Sequence, residues 1–271
     1  MGETVACANQ KGGVGKTTTV VNLAAYLALE GQRVLVVDVD PQGNATSGLG
    51  HDKAAVEHSI YEAVVGDASA RSLLVPTAIE GLSLIPASSD LAGLEIELVP
   101  LTLRERRLAT ALEPLREDFD YILFDCPPSV GLITINALTA ADSVLIPLQC
   151  EYYALEGLSQ LLATINLVRD QLNPALRIKG VLLTMYDART TLSEDVSAEV
   201  RRHLGDRVFE THVPRSVRLS ESPSYGRPVA LYSPGSKGAE AYRNAAIELL
   251  RRDARRAPVA EPARVETAVP A

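Results

Sequence analysis

The sequence has no tryptophan and only three phenylalanines among 271 residues, so no aromatic platform for stacked bases is visible in it. Cysteine is scarce too. Cys7, Cys126 and Cys150 are scattered and form no CxxC pair, which excludes a disulfide framework and gives no zinc or iron–sulfur spacing. Buried, reduced thiols on strands are expected instead. The four histidines, His51, His58, His203 and His212, show no HExxH or other ligand spacing, so side chains alone build no metal site. No run approaches the ~20 apolar residues of a membrane span, and no basic n-region precedes the first strand-like segment. A cytoplasmic protein is expected. Internal repeats are missing as well, and no Gly-, Ser- or Pro-rich linker interrupts the chain before residue 257. The economical reading is one domain over residues 1–256 followed by a disordered Pro/Ala-rich tail at 257–271.

Positive charge is in deficit overall, with a formal net charge of −8, yet it is unevenly placed. Residues 1–176 carry 10 Lys/Arg against 22 Asp/Glu, or −12; residues 177–256 carry 15 against 10, or +5; residues 257–271 carry 1 against 2, or −1. Binding to polyanions is largely a matter of Lys and Arg meeting phosphates, so the late excess points weakly to a polyanion-binding face.

What is present is a regular alternation of short apolar runs and longer helix-period stretches. That is the pattern of βαβ units around a mostly parallel, twisted sheet with helices on both faces, an α/β fold. Strands are expected at 4–8, 34–39, 82–86, 121–125, 143–148, 178–185 and 208–213. Covering helices are expected at 17–30, where Val20, Val21, Leu23, Ala24 and Leu27 share a face, and at 154–172, 192–204 and 239–252.

Between the first strand and the first helix lies Lys11-Gly12-Gly13-Val14-Gly15-Lys16-Thr17-Thr18. Glycines let successive backbone N–H groups turn inward, and the helix N-terminus adds its positive dipole end, making a cradle for a triphosphate. Lys16 is placed to reach the β- and γ-phosphates and the Thr17 hydroxyl to ligate Mg²⁺. The usual GxxxxGK[ST] pattern is not strictly met, since Gln10 stands where its first glycine belongs and Lys11 adds a second lysine. Two apolar strands then end in acids. The run 34–39 leads into Asp38 and Asp40, two residues apart and so expected on the same side of the strand. The run 121–125 ends in Asp125, and an apolar strand that delivers an Asp beside such a loop holds the Mg²⁺ hydration shell of NTPases.

At these residues the chain resembles the deviant Walker A P-loop ATPases and, within them, the ParA/Soj chromosome- and plasmid-partitioning ATPases. Residues 11–18 resemble the deviant loop with its signature lysine, 37–44 the second acidic motif and 124–129 the Walker B strand, and the likeness continues through 180–189, 213–227 and 236–239. The resemblance implies an Mg²⁺-dependent ATPase in which ATP drives a homodimer. Lys11 would contact the partner subunit's phosphates, Asp40 would position the attacking water, and Asp125 would hold Mg²⁺ through water. Met185, Pro214 and Ser216 would lie near the adenine. It also implies non-specific DNA binding by Arg189, Arg218 and Lys237, a ParB-like centromere-binding partner that stimulates hydrolysis, and a nucleoid-associated location. All three basic residues fall in the +5 stretch.

Two neighbouring branches stay open. The membrane-associated MinD-like branch would need a basic amphipathic helix, and residues 243–256 offer one, although without Phe or Trp on its apolar face. Metal-cluster enzymes of the same superfamily would need paired cysteines at a dimer interface, and Cys126 has no obvious mate.

Overall fold

The computed structural model describes residues 2–152 and 154–256; the tail expected at 257–271 lies outside the described residues. Its centre is one sheet built from β1 (Glu3–Cys7), β2 (Val34–Asp38), β3 (Val75–Pro76), β4 (Leu82–Ile85), β5 (Tyr121–Asp125), β6 (Ser143–Gln149), β7 (Arg177–Tyr186) and β8 (Val208–Pro214), in the spatial order β3-β4-β2-β5-β1-β6-β7-β8. Every pairing is parallel except that of β3 with β4. All seven expected strands are present. The eighth, β3, is a two-residue edge ending in proline, too short for period-two alternation to mark.

Helix α1 (Lys16–Leu29) joins β1 to β2, and α2 (Asn44–Gly48) and α3 (Ile60–Val65) precede β3. Between β4 and β5 come α4 (Leu91–Leu98) and α5 (Arg107–Leu112), and α6 (Leu132–Ala140) leads to β6. The longer α7 (Ala154–Gln171) and α8 (Thr191–Leu204) carry the chain to β7 and β8, and α9 (Val217–Glu221), α10 (Val229–Tyr232) and α11 (Lys237–Arg256) close it. The four helices read from periodicity are α1, α7, α8 and α11. The others run four to nine residues, about two turns or fewer, too short to establish a period.

Side chains alternate across the sheet, and both faces are dry. Ala6 and Ala8, Leu35 and Val37, Ile122 and Phe124 belong to one core, covered by α3 to α7. Val5 and Cys7, Val34 and Val36, Leu123 belong to the other, covered by α1 and α11. The apolar side of α11 is used there: Ala239, Tyr242, Ala245, Ala246 and Leu249 are buried, and Tyr242 Oη meets Thr19 Oγ1 at 3.0 Å.

The topology decides where a ligand goes. From β1 the chain crosses through α1 to the β2 side, whereas β6, on the other flank of β1, continues outward to β7 and β8. The crevice outside the carboxyl end of β1 is therefore the switch point, where ligands sit in open parallel sheets.

Candidate nucleotide-binding site

At that switch point the chain leaves β1 through residues 8–15. Gly13 and Gly15 adopt φ of 74° and 90°, a left-handed backbone that side chains disfavour, and Gly15 caps α1 without a side-chain cap bond. The first N–H groups of α1 therefore stay free for an anion. The loop is tied down from below. Asn9 Nδ2 donates to Pro147 O at 2.8 Å, Asn9 Oδ1 accepts from Lys11 N, and Thr184 Oγ1 donates to Val14 O at 2.8 Å. Lys16 is buried and its Nζ donates to Lys11 O across the loop at 3.2 Å. Lys11 itself points away, exposed, with its Nζ 2.5 Å from Glu151 Oε2. Thr17 and Thr18 are half-buried on the first turn of α1.

The acids do not sit as a strand-end pair. β2 stops at Asp38, because the Asp38 carboxylate accepts the Asp40 backbone N–H at 3.2 Å, an Asx turn that peels the chain off the sheet. Asp40 lies in the following turn, buried, its Oδ1 accepting from Gln42 N. Asp38 is fully buried and also accepts Thr46 N and Thr46 Oγ1, both at 2.8 Å, which fixes α2 under the site. So Asp38 is spent on holding the loop, and Asp40 lies just beyond it, near enough to Asp125 for its charge to raise that carboxyl.

Asp125 is different again. It ends β5 in register with Asp38 on one side and Cys7 on the other, and neither of its fully buried carboxylate oxygens meets a hydrogen-bond partner. Burial pushes its carboxyl well above the ordinary range, the charges of Asp38 and Asp40 add to that, and the Thr17 hydroxyl and Lys16 pull it back. Burial also raises Asp38, against the pull of its Thr46 bonds. Two raised acids beside a hydroxyl and a buried lysine fit a hydrated divalent cation bridged to phosphates. Among the described residues no group of three or more His, Cys, Asp or Glu forms a metal cage, and Mg²⁺ needs none, because it keeps waters and phosphate oxygens as ligands.

A cleft of about 160 Å³ opens beside the loop, and Gly15, Thr18, Met185, Pro214 and Ser216 line it together. The three residues read as adenine neighbours thus meet the P-loop across the ends of β7 and β8. Met185 has φ of 50°, a left-handed conformation uncommon for a side chain of that size and concentrated at functional sites. Tyr186 stacks on His212 at 4.4 Å directly behind it. Asn9, Thr46 and Thr184 are not marked by the sequence, and their contacts join residues up to 170 apart in the chain; Asp38 is marked there as an acid ending an apolar strand, but its bonds to Thr46 are not.

Arg189 follows β7, its side chain 88% exposed and paired with Asp187 at 2.7 Å. Arg218 lies on α9, paired with Glu221 at 2.8 Å, and Lys237, exposed, opens α11. All three lie at the β7–β8 end of the molecule, with Arg215 acting on Asp187 from the same side. An aromatic pair stands there too. Tyr225 stacks on Tyr232 at 4.8 Å, and Tyr232 Oη bonds Glu221 beside Arg218, a juxtaposition made by the fold and not visible in the sequence. Cys7, Cys126 and Cys150 are all buried free thiols.

The profile of the AAA domain family matches residues 2–178. The chain is 59% identical over 249 residues to the sporulation initiation inhibitor protein Soj of Bacillus subtilis, a match that spans 92% of this chain and 98% of that protein. It is 55% identical over 258 residues to the chromosome partitioning protein ParA of Myxococcus xanthus, spanning 95% and 91%. Among solved structures it is similar to that of cobyrinic acid a,c-diamide synthase from Mycobacterium smegmatis with bound ATP analog and magnesium. The TM-score is 0.83, with 44% identity over 94% of this chain and 96% of the other.

Proposed function

The chain belongs to the ParA/Soj family of chromosome-partitioning P-loop ATPases, and from that premise we propose a nucleotide-timed DNA-binding switch. ATP with Mg²⁺ occupies the crevice around residues 11–18. The ATP-bound chain pairs with a second copy and holds DNA without sequence preference through Arg189, Arg218 and Lys237; hydrolysis, stimulated by a ParB-like centromere-binding partner, returns a monomer that lets go.

The observation that carries the proposal is Asp125: a buried carboxylate with neither oxygen in a close hydrogen bond, facing the Thr17 hydroxyl and Lys16 at a helix N-terminus, is placed to serve a cation and phosphates. Mg²⁺ would supply charge neutralisation on the β- and γ-phosphates. Lys16 would leave the Lys11 carbonyl for the same phosphates, Thr17 would offer its hydroxyl to the metal, and Asp40 would orient the attacking water. Met185, Pro214 and Ser216 would wall the base. Lys11, turned outward onto Glu151, is free to leave an exposed ion pair for the partner subunit's nucleotide. In-line attack by water needs positioning and charge rather than covalent chemistry, so turnover is slow until a partner completes the site. A nucleotide-biased equilibrium between two states follows.

The MinD-like alternative is not favoured. Of the apolar residues of 243–256 that a membrane would take, Ala245, Ala246 and Leu249 are wholly inside the core and Leu250 packs against it, which leaves Ile247 half-buried and Ala254 exposed. No helix among the described residues is long and apolar enough to cross a membrane.

The test is retention on non-specific duplex DNA at moderate salt without nucleotide, with ADP and with ATP, using Asp40→Ala to block turnover. Retention with ATP alone is expected, and Lys16→Ala should abolish both nucleotide binding and retention. Equal retention in all three states, or none despite measured ATP binding and dimerisation, rejects the switch.

A further inference from the structure

Along the first two turns of α1 a second cleft, of about 420 Å³, opens between α1, α2 and the segment 222–227. It is not the cleft of Met185 and Pro214: of the residues that line the two, Thr18 alone is common to both. Val21, Asn22, Gly48 and Ser222 give it a buried floor, and Asn44, Lys53, Ser224 and Arg227 an exposed rim.

Close backbone packing builds it. Gly226, at φ of 60°, stands so near Gly50 that a methyl group on it would come within 3.1 Å of the Gly50 Cα. Two glycines in contact let the segment 222–227 close on the end of α2, and Arg227 N donates to Ser222 O at 3.3 Å. Arg227 is thus held at the rim by its own backbone.

The charge of the cleft has one sign. Lys53 and Arg227 line it and no acid does. The side chains of Thr18, Asn44, Ser224 and Arg227 have no hydrogen-bond or ion-pair partner among the described residues, whereas Arg33, Arg71, Arg189 and Arg218 are all paired with acids. An unspent guanidinium and three small polar side chains around one concavity suit an anion with several acceptor oxygens, and the guanidinium fork matches phosphate. The cleft runs on into a shallower groove of about 650 Å³ with Leu49, Pro76 and Pro223 in its wall. The one acid there, Asp52, is engaged in accepting the Ala54 N–H at 2.9 Å. A phosphate in the cleft with an organic group in the groove makes the fitting ligand a small phosphate monoester. Duplex DNA carries its phosphates on the outside of a rod, which would meet the rim and leave Thr18 and the floor untouched.

Lys53 joins the cleft to the acid of the nucleotide site. Its Nζ donates to Gln42 O at 2.8 Å, and its stem lies against Gly43, where a methyl group would come within 3.3 Å of Lys53 Cδ. Gln42 and Gly43 close the turn that starts at Asp40: Gln42 N donates to Asp40 Oδ1 at 3.0 Å and Gly43 N to Asp40 O at 2.9 Å. An anion that draws Lys53 off the Gln42 carbonyl removes the brace from that turn.

We infer that the cleft between α1, α2 and residues 222–227 is a second, regulatory site for a small phosphate monoester, whose phosphate is taken by Arg227 and Lys53. Its occupancy slows ATP turnover by releasing the Asp40 turn. The turnover half of this inference rests on the ATPase reading above; the binding half does not.

The probe is phenyl phosphate, titrated calorimetrically into the full chain with magnesium and a non-hydrolysable ATP analogue already saturating the nucleotide crevice. One phenyl phosphate per chain is expected to bind, and about tenfold or more weakly in Arg227→Gln and in Lys53→Gln, the worth of one charge-assisted hydrogen bond. Arg71→Gln, which removes a cation from the acidic portion of the chain, should bind it as the wild type does. Inorganic phosphate should bind more weakly than phenyl phosphate, because it leaves the groove empty. In turnover, phenyl phosphate should lower the kcat of the wild type and leave its KM for ATP unchanged. Arg227→Gln should keep the wild-type basal kcat and lose the response, while Lys53→Gln should start from a lowered kcat at an unchanged KM.

Equal binding by wild type and Arg227→Gln overturns the site, and so does a rise in KM, which would put phenyl phosphate in the nucleotide crevice. Inorganic phosphate bound as tightly as phenyl phosphate overturns the monoester in favour of free phosphate. Normal phenyl phosphate binding by Arg227→Gln, together with lost DNA retention, overturns the site in favour of a duplex contact. Binding with kcat unchanged overturns the coupling through Lys53. If the wild type has no basal turnover, the ATPase reading fails while the binding comparison still decides the site.

Discussion

A carboxylate with no hydrogen-bond partner is among the costliest groups to bury, and Asp125 carries two such oxygens at the end of β5. Burial and the neighbouring Asp38 raise its carboxyl well above the ordinary range. An acid that holds its proton more tightly in the native state contributes stability in full below its unfolded pKa, and that stability is lost as pH rises through the native one. The nucleotide-free protein should therefore weaken as pH climbs from about 4, the ordinary aspartate value, toward neutrality. Asp125→Asn keeps the shape and removes the charge, so it should stabilise the nucleotide-free chain by about 1–3 kcal/mol at neutral pH and flatten that slope. Magnesium-dependent stabilisation by ATP should disappear at the same time. Urea unfolding across this pH range, with and without MgATP, checks both effects. An unchanged slope in the variant would mean that Asp125 is not the group that titrates.

Strand β7 shows how an element can be legible in outline and opaque in detail. Its apolar run predicts a strand, and so do the runs that become β1, β2, β4, β5, β6 and β8; the glycine and lysine spacing of residues 11–18 likewise predicts the loop before α1. Local patterns suffice for these because each depends on neighbours in sequence. The bulge in β7 depends on neighbours in space. Ile178 pairs with Val144 and Gly180 with Leu145, leaving Lys179 as the extra residue, and such an insertion re-aims a side chain. Lys179, 2% exposed, reaches Glu3 Oε2 and Asp253 Oδ1, both at 2.5 Å, while Tyr121 Oη donates to Asp253 and Ser143 Oγ to Glu3. The network pins the end of α11 to β1, β5 and β7, and no local signal announces it. The same holds for the Asx turn at Asp38 and the left-handed Met185. Removing one partner of a buried ion pair leaves the others uncompensated, so Lys179→Met should destabilise the fold by about 3–5 kcal/mol. Equilibrium unfolding measures this, and a loss below about 1 kcal/mol would show that the two carboxylates find other partners. The nucleotide crevice lies at the opposite ends of these strands, so MgATP should still protect the variant.

Across the whole molecule the charge is divided much as the sheet is. The strands from β3 to β1 and their helices lie within the −12 portion of the chain, and β7, β8 and α8 to α11 come from the +5 portion. A polyanion would therefore meet one end of the sheet, where Arg189 and Arg218 stand. In the free protein both are engaged, Arg189 by Asp187 and Arg218 by Glu221. Arg189 holds Asp187 down to about 2, so the carboxylate stays ionised at any physiological pH and competes with phosphate for the same guanidinium. Such exposed pairs are weak in water and weaker in salt, whereas each phosphate contact on duplex DNA gains from counterion release, with a slope of about 0.9 per contact in the salt dependence. DNA should win that competition at low salt and lose ground as salt rises. Asp187→Asn removes the competitor and should extend ATP-dependent DNA retention to higher salt. Arg189→Glu should shorten it and lower the salt slope by about 1. The comparison needs a change of equal charge elsewhere, because any lost acid favours a polyanion. Asp118→Asn, freeing Arg71 from its 2.6 Å ion pair in the acidic portion, supplies that comparison. Retention midpoints measured against salt for the three variants separate the local effect from the global one. If Asp118→Asn extends retention as far as Asp187→Asn does, the end of the sheet near β7 and β8 has no privileged role, and the division of charge along the chain is a matter of solubility alone.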